Sequence, residues 1–380
     1  MLKYLIKRHS TLQDIRSEEW RQIVPINFPF ASYEFLLALE LSGSIGKGTG
    51  WHPQYLTIWQ GESLLGCLIL YEKTDSYGEY IFDWDWANAY QRYGKVYYPK
   101  LTSAIPFTPA TGPKLLIRPS CNEPELTELL LDQAKILSAE QNSSSLHHLF
   151  IPAASISLYE KSKYKIRKSF QYHWQNKKYS DFENFLTCLK SRKAKQIRKE
   201  RREVKESSVV IHQLRGEQLR PEHADIFYRF YLMTIDKKQA IPYLTKGFFQ
   251  MIFSKMPEQL VLLLAESQGN WVAGSLSFLG SETLFGRYWG TLTEYKFLHF
   301  ELCYYQLIEY CIQHGFKIFE AGAQGEHKIQ RGFLPTLTYS AHFIESPEFA
   351  RAIYDFIDRE TTSVEQMIEE LMEYSPYRAL

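Results

Sequence analysis

Apolar residues recur along this chain at two spacings. Alternation and short unbroken runs predict strands at 2–6, 55–59, 63–71, 79–84, 146–151 and 166–174. The same pattern returns at 209–214, 260–266, 271–279, 283–289, 317–320 and 338–344. Three- and four-residue spacing predicts helices at 12–24, 32–41, 124–141, 221–237, 245–255 and 299–314. The second of these follows Ser32, a suitable N-cap. An acidic helix is expected over 347–374.

Two stretches repeat one order of elements. "LTIWQGESLLGCLILYEKTDSYGEYIFDW" (56–84) and "LLLAESQGNWVAGSLSFLGSETLFGRYWG" (262–290) both read strand, turn, strand, turn, strand. Gly66 and Gly78 are twelve apart, as are Gly274 and Gly286. The expectation is a tandem duplication of one α/β unit. Its parts are a domain at 1–180, a basic connector at 181–206, a second domain at 207–346 and an acidic helix at 347–380.

With 380 residues, 45% hydrophobic and 15% aromatic, the chain can bury two cores and is not a disordered protein. Its net charge of +1 does not speak for or against nucleic acid. Five scattered cysteines without a C-x-x-C pair point to a reducing compartment, with neither a disulfide framework nor a zinc knuckle. The apolar runs are strand-sized and the N-terminus lacks a signal-peptide core, so a soluble, cytoplasmic protein with no transmembrane segment is expected.

Charge is concentrated in "KSRKAKQIRKERREVK" (190–205). Before it, Phe182, Phe185, Leu186 and Leu189 fall on one helical face. Arg192, Lys195, Arg198, Lys199 and Arg202 then share one side. Two readings stand: a solvated connector, or a helix that faces phosphates, including those of a tRNA. In "GEYIFDWDW", Glu79, Asp83 and Asp85 sit among aromatics. Buried carboxylates need partners, so these three either receive a cationic amine substrate or pair with the basic helix. No histidine stands at ligand spacing from them, and no metal is expected. Nucleophile-elbow, Walker A and kinase signatures are all missing from the sequence.

Several long stretches resemble one bacterial family. They are "HWQNKKYSDFENFLTCLKSRKAKQIRKERREV", "SYGEYIFDWDWANAY", "YYPKLTSAIPFTPATGPKLL", "FLHFELCYYQLIEYCIQHGF" and "FEAGAQGEHKIQRGFLPTLTYSAHF". The family is the FemAB-like, or peptidoglycan biosynthesis/recognition, family of predicted N-acyltransferases in the GNAT superfamily, and the resemblance runs over roughly 28–360. It implies an α/β (α+β) fold of tandem GNAT-like domains, with mixed central sheets flanked by helices. It also implies acyl transfer to an amine, with a cell-wall precursor or amino-sugar compound as acceptor. Acyl-CoA enzymes of this fold carry a Q/R-x-x-G-x-G/A loop that holds the pyrophosphate. The corresponding "GTLTEYKFLHFEL" has one glycine, so acyl-CoA is open to question as donor. Fem-type enzymes use aminoacyl-tRNA, which would give the basic helix a purpose. A rival reading is a non-catalytic module that binds a cell-wall precursor or another amine.

A GNAT fold places its chemistry where two parallel strands splay, here expected at 283–289 and 317–320. Glu320 ends the second strand and is the expected base, acting directly or through water; the alternative is pairing with Arg287 across the sheet. Arg287 is expected to bind an anion, and Tyr288 either protonates a leaving atom or belongs to the core. "FEAGAQGEHKIQRGFLP" (319–335) follows. In it His327 is a base or orients one, and Lys328 and Arg331 are expected to hold a phosphate or carboxylate together. Lys328, followed by Gly332, matches a lysine in the lysine–glycine stretch of the Fem-type transferases. His299 and Glu301 open the next helix, where Glu301 suits the helix dipole.

Overall fold

The computed structural model describes residues 3–322 and 325–378. The chain divides into two compact units, Met1–Ser169 with Leu337–Gln366, and Phe170–Thr336 with Met367–Leu380. These boundaries differ from the linear order expected above. The basic helix lies inside the second unit, and the long helix Pro347–Glu373 is shared between the two.

In the first unit, Leu5–His9, Tyr55–Gln60, Ser63–Leu68 and Leu115–Ile117 form one antiparallel sheet. Ser145–Ile151 pairs in parallel with Lys100–Ser103, which continues antiparallel to Tyr71–Lys73 and Trp51–Pro53. The helix Glu123–Glu140 buries Leu126, Leu130, Ala134 and Leu137 in one core with Ile58, Leu68 and Leu146. That apolar face follows the three- and four-residue spacing of its sequence.

The second unit strings Val209–Leu214, Leu260–Ser267, Asn270–Leu279 and Thr283–Thr291 into antiparallel order. Ile318–Glu320 then joins Thr283–Thr291 in parallel, with His173, Trp174 and Gln175 on its other side. Val261, Leu263 and Ala265 share a core with Leu307, Ile308 and Cys311 of the helix Gln306–His314. The helix Pro221–Lys237 crosses the sheet where Gly290 allows backbone contact; a Cβ there would stand 1.9 Å from the carbonyl oxygen of Phe230. No helix among the described residues is long and apolar enough to cross a membrane.

Several expectations fail. Residues 79–84 form no strand; the chain turns there and enters the helix Trp84–Arg92. Glu79 and Asp83 do not pair with the basic helix either. Both point at Lys100, whose Nζ donates to Glu79 Oε2 at 2.8 Å, to Asp83 Oδ2 at 2.5 Å and to Ser76 Oγ at 2.9 Å. All three charged groups are buried. Finally, Gly66 and Gly274 both lie in the second strand of a hairpin pair, but Gly78 occupies a turn while Gly286 is inside a strand. The second glycine pair therefore carries no argument for duplication. At the N-terminus the expected 12–24 helix is a 3-10 turn, Leu12–Asp14, followed by the short helix Ser17–Arg21. The extended backbone of Arg16 separates them. The first strand is Leu5–His9, and the expected strand's first residue, Leu2, lies outside the described residues.

The Lys100 cluster yields a stability prediction. Lys100→Met leaves two buried carboxylates without their bonded cation, a class of change that costs about 3–5 kcal/mol. Urea unfolding should show a loss of that order; an unmoved midpoint would mean the cluster is not needed to hold the first unit together.

Candidate functional site

The parallel register of the second unit lasts only from Thr283 and Ile318 to Phe285 and Glu320. Gly286 follows at once, and its lack of a side chain lets the strands close to this point. A Cβ there would meet the Phe319 ring at 2.9 Å. Past the last pair lie the strand ends, the place where open α/β sheets hold ligands.

Glu320 is buried there, with His173 Nε2 at 4.0 Å from its Oε1. His173 also lies 3.2 Å from Gln171 Oε1. Burial and then the charge of Lys328 push the His173 imidazole down to about 4, so it is neutral at pH 7.

After Gly325 a single 3-10 segment, Glu326–Arg331, closes on Gly332. Its two buried cations have different fates. Arg331 donates to His327 O at 2.9 Å and to both oxygens of Glu200, at 3.0 and 3.2 Å, with its guanidinium 3.4 Å from the Phe300 ring centre. Glu200 also accepts from Gln196 at 2.9 Å and from the Tyr305 hydroxyl. The guanidinium expected to hold a ligand with Lys328 is thus engaged within the protein.

Lys328 is only 3% exposed, and its Nζ donates to Gly322 O at 3.0 Å. Among the described residues no carboxylate lies within ion-pair distance of it. Burial pushes this ammonium down to about 8; Arg287 and Lys238 act in the same direction, against the Cys303 thiol. A buried lysine with other cations nearby and no carboxylate is set to receive an anion or to give up its proton.

His327 is exposed, with its Nε2 2.9 Å from the Tyr304 hydroxyl. Partial desolvation, then Arg331 and Lys328, lower its pKa and favour the neutral ring. His299 is pushed to about 4, chiefly by burial, and its ring packs on Trp289 at 5.1 Å and Tyr304 at 5.5 Å. Both Cys303 and Tyr304 belong to a π-helical stretch, Glu301–Tyr305, a distortion that often marks functional helices. Glu301 itself is buried and paired with Arg201 at 3.1 Å.

The remaining expected residues are more scattered. Arg287 sits one residue past Gly286, its guanidinium 5.4 Å from the Tyr288 ring. Tyr288 packs edge-on against Tyr231, Phe249 and Phe278 in an aromatic cluster. Glu79, Asp83 and Asp85 are in the first unit; Asp85 is exposed in the first turn of its helix. In the basic helix, Ser191–Glu206, the residues Arg192, Lys195, Arg198 and Arg202 are all exposed. Arg198 pairs with Glu183 at 2.7 Å and Arg202 with Glu206 at 3.9 Å. The inner face of this helix was not foreseen. Glu200 holds Arg331, and Arg201 binds Glu301 and Glu309. The signal was present, because Glu200 falls on the seam of Ile197 and Val204 at helical spacing. His173, Lys238 and Cys303, near Lys328, and Tyr304, bonded to His327, carry no such signal; only tertiary folding brings them there.

The profile of the FemAB-like family, described as peptidoglycan biosynthesis/recognition, matches residues 11–379. No curated protein sequence matches the chain. Among solved structures, FemX is similar at 10% identity and a TM-score of 0.54, over 93% of this chain and 100% of that one. The C-terminal domain of a putative lysylphosphatidylglycerol synthetase from Agrobacterium fabrum gives 8% and 0.55, over 90% and 96%. L-PGS from Bacillus licheniformis gives 10% and 0.51, over 88% and 97%. At such identities the likeness is one of fold. The fold is mixed α/β, with sheets flanked by helices, of the tandem GNAT-like kind that the sequence resemblance implied.

Lys328 makes stability depend on pH in a specific direction. Its pKa is near 8 when folded and near 10.5 when free. Below pH 8 both states hold the proton, and the fold bears the full cost of the buried charge. Between these values the unfolded chain binds more protons, so stability rises with pH. The expected gain is roughly 3 kcal/mol at about 1.4 kcal/mol per pH unit. Chemical unfolding should show a rise larger by about this amount in the wild type than in Lys328→Met, since Lys73, also pushed down to about 8 by burial, contributes equally to both. Equal pH profiles would contradict it.

Proposed function

The chain belongs to the FemAB-like peptidoglycan biosynthesis/recognition family, and on that premise we propose that its second unit transfers an acyl or aminoacyl group to the amine of a cell-wall precursor. The observation that carries this reading is Lys328, a buried ammonium with no carboxylate in ion-pair distance among the described residues, which binds the carbonyl of Gly322, two positions after Glu320.

In the proposed reaction the acceptor nitrogen attacks the donor carbonyl carbon. A C–N bond forms while the carbonyl oxygen gathers negative charge, and Lys328 and Arg287 offset that charge. Glu320 takes the proton that the nitrogen sheds. The carbon–oxygen bond of an ester, or the carbon–sulfur bond of a thioester, then breaks. We assign return of a proton to the leaving atom to the Tyr304–His327 pair, whose hydrogen bond is already made.

Two observations favour an aminoacyl-tRNA donor over acyl-CoA. The segment before the helix at Leu298 has one glycine, and the buried carboxylate of Glu301 lies in that helix's first turns, where a pyrophosphate would be repelled. Meanwhile the outer face of the Ser191–Glu206 helix exposes Arg192 and Lys195, which make no ion pair among the described residues. Both fit phosphate contacts.

Activity should discriminate these roles. Glu320→Gln is expected to lower turnover about 100-fold or more, the scale of lost general-base catalysis, with unfolding curves unchanged. Lys328→Ala should weaken donor binding and also lower turnover, because its ammonium offsets the charge that develops on the carbonyl oxygen. If charged Lys328 is required, the wild-type rate falls as pH rises through about 8, and Lys328→Arg moves that fall upward. Near-normal turnover in Glu320→Gln would remove it from the base role. A wild type that binds precursor but transfers nothing from either donor would establish the non-catalytic module instead. For the donor, Arg192→Ala with Lys195→Ala should weaken aminoacyl-tRNA binding and flatten its salt dependence. An unaltered curve would leave that helix face as a solvated surface.

A further inference from the structure

The second unit holds a cavity of about 210 Å³ that the transfer chemistry does not use. One wall is Gln175, which pairs with Ile318, and Lys177 two residues further on. A second is the start of the strand Leu334–Ile344, from Leu334 to Thr336. Met372 and Tyr377 of the C-terminal segment form the third. This last wall is fixed in place. The Tyr377 hydroxyl donates to Gly332 O at 2.8 Å, Lys190 N donates to Pro376 O at 2.7 Å, and Arg378 Nε donates to Leu189 O at 2.9 Å.

The chemistry of the lining is one-sided. It includes an ammonium, a carboxamide and a hydroxyl, and none of the lining residues is Asp or Glu. Lys177 lies 5.0 Å from the Tyr377 ring centre and makes no ion pair among the described residues. Leu334, Pro335 and Met372 supply apolar surface beside these donors. The space equals about seven waters at roughly 30 Å³ each, enough for a dipeptide-sized molecule. Such sites, mostly apolar with a few convergent polar groups, bind small molecules.

We propose that this cavity is a second ligand site, one that takes a small carboxylate with a short aliphatic body, its anion at Lys177 and Gln175. His173 lines the cavity and also stands 4.0 Å from Glu320, so occupancy is felt at the strand splay.

The test uses the full chain and two probes, alanyl-alanine and its C-terminal amide. Calorimetry gives affinity, and the Cε1–H resonance of His173 reports occupancy of this cavity. The dipeptide should bind and shift that resonance, while the amide binds at least about tenfold more weakly, the worth of one charge-assisted contact. Lys177→Gln, an exposed position, should weaken the dipeptide by a similar factor; Lys328→Met should leave it bound. Equal affinity for both probes, no binding, or no effect of Lys177→Gln would overturn the proposal. Loss of binding in Lys328→Met alone would place the carboxylate at the transfer centre and overturn it equally, without touching the transfer reading.

Discussion

The carboxylate of Glu200 determines how the loop after Ile318–Glu320 is held. It accepts two hydrogen bonds from Arg331 and one from Tyr305 while buried among apolar side chains. A buried ion pair of this kind is weak evidence for net stability, because desolvation offsets most of the attraction. Its value is positional. With Arg331 fixed to one helix and stacked on Phe300, the short 3-10 segment has a single placement, and Lys328 is carried inward with it. Three residues apart, one cation is matched by a carboxylate and the other, among the described residues, is not.

That asymmetry distinguishes a site from a core. In the first unit, Lys100 is equally buried, yet Glu79 and Asp83 both contact it, and the cluster is complete in itself. In the second, the charges near Lys328 are Arg287 and Lys238, so burial and repulsion act together on its proton. Retaining such a group costs stability, and proteins keep that cost where function requires it. The splayed strands and the π-helical turn at Glu301–Tyr305 meet the same neighbourhood, through Gly286 on one side and Tyr304 on the other.

Much of this was legible in the sequence. The strands of the second unit fall where alternation and buried runs placed them, and Glu320 ends its strand as expected. Ser32 caps its helix through a bond from Phe35 N. The failures share a cause. In 79–84 the aromatic alternation of a strand was present, but the pull of Lys100 on Glu79 and Asp83 comes from residues 17 and 21 positions away. Pattern cannot report such a partner. Arg331 looked like a ligand contact because its own partner, Glu200, is 131 positions earlier in a helix that reads as uniformly basic. Lys328 was legible as a charge beside glycines, but its burial was not.

The central claim is that Lys328 is a buried cation kept ready for a negative charge. The most direct measurement is an NMR titration of its Nζ and Cε resonances in the free, full-length protein. The account predicts a midpoint near pH 8, moving upward when an anionic donor analogue binds. A midpoint near the ordinary lysine value of 10.5, unmoved by any such ligand, would contradict it.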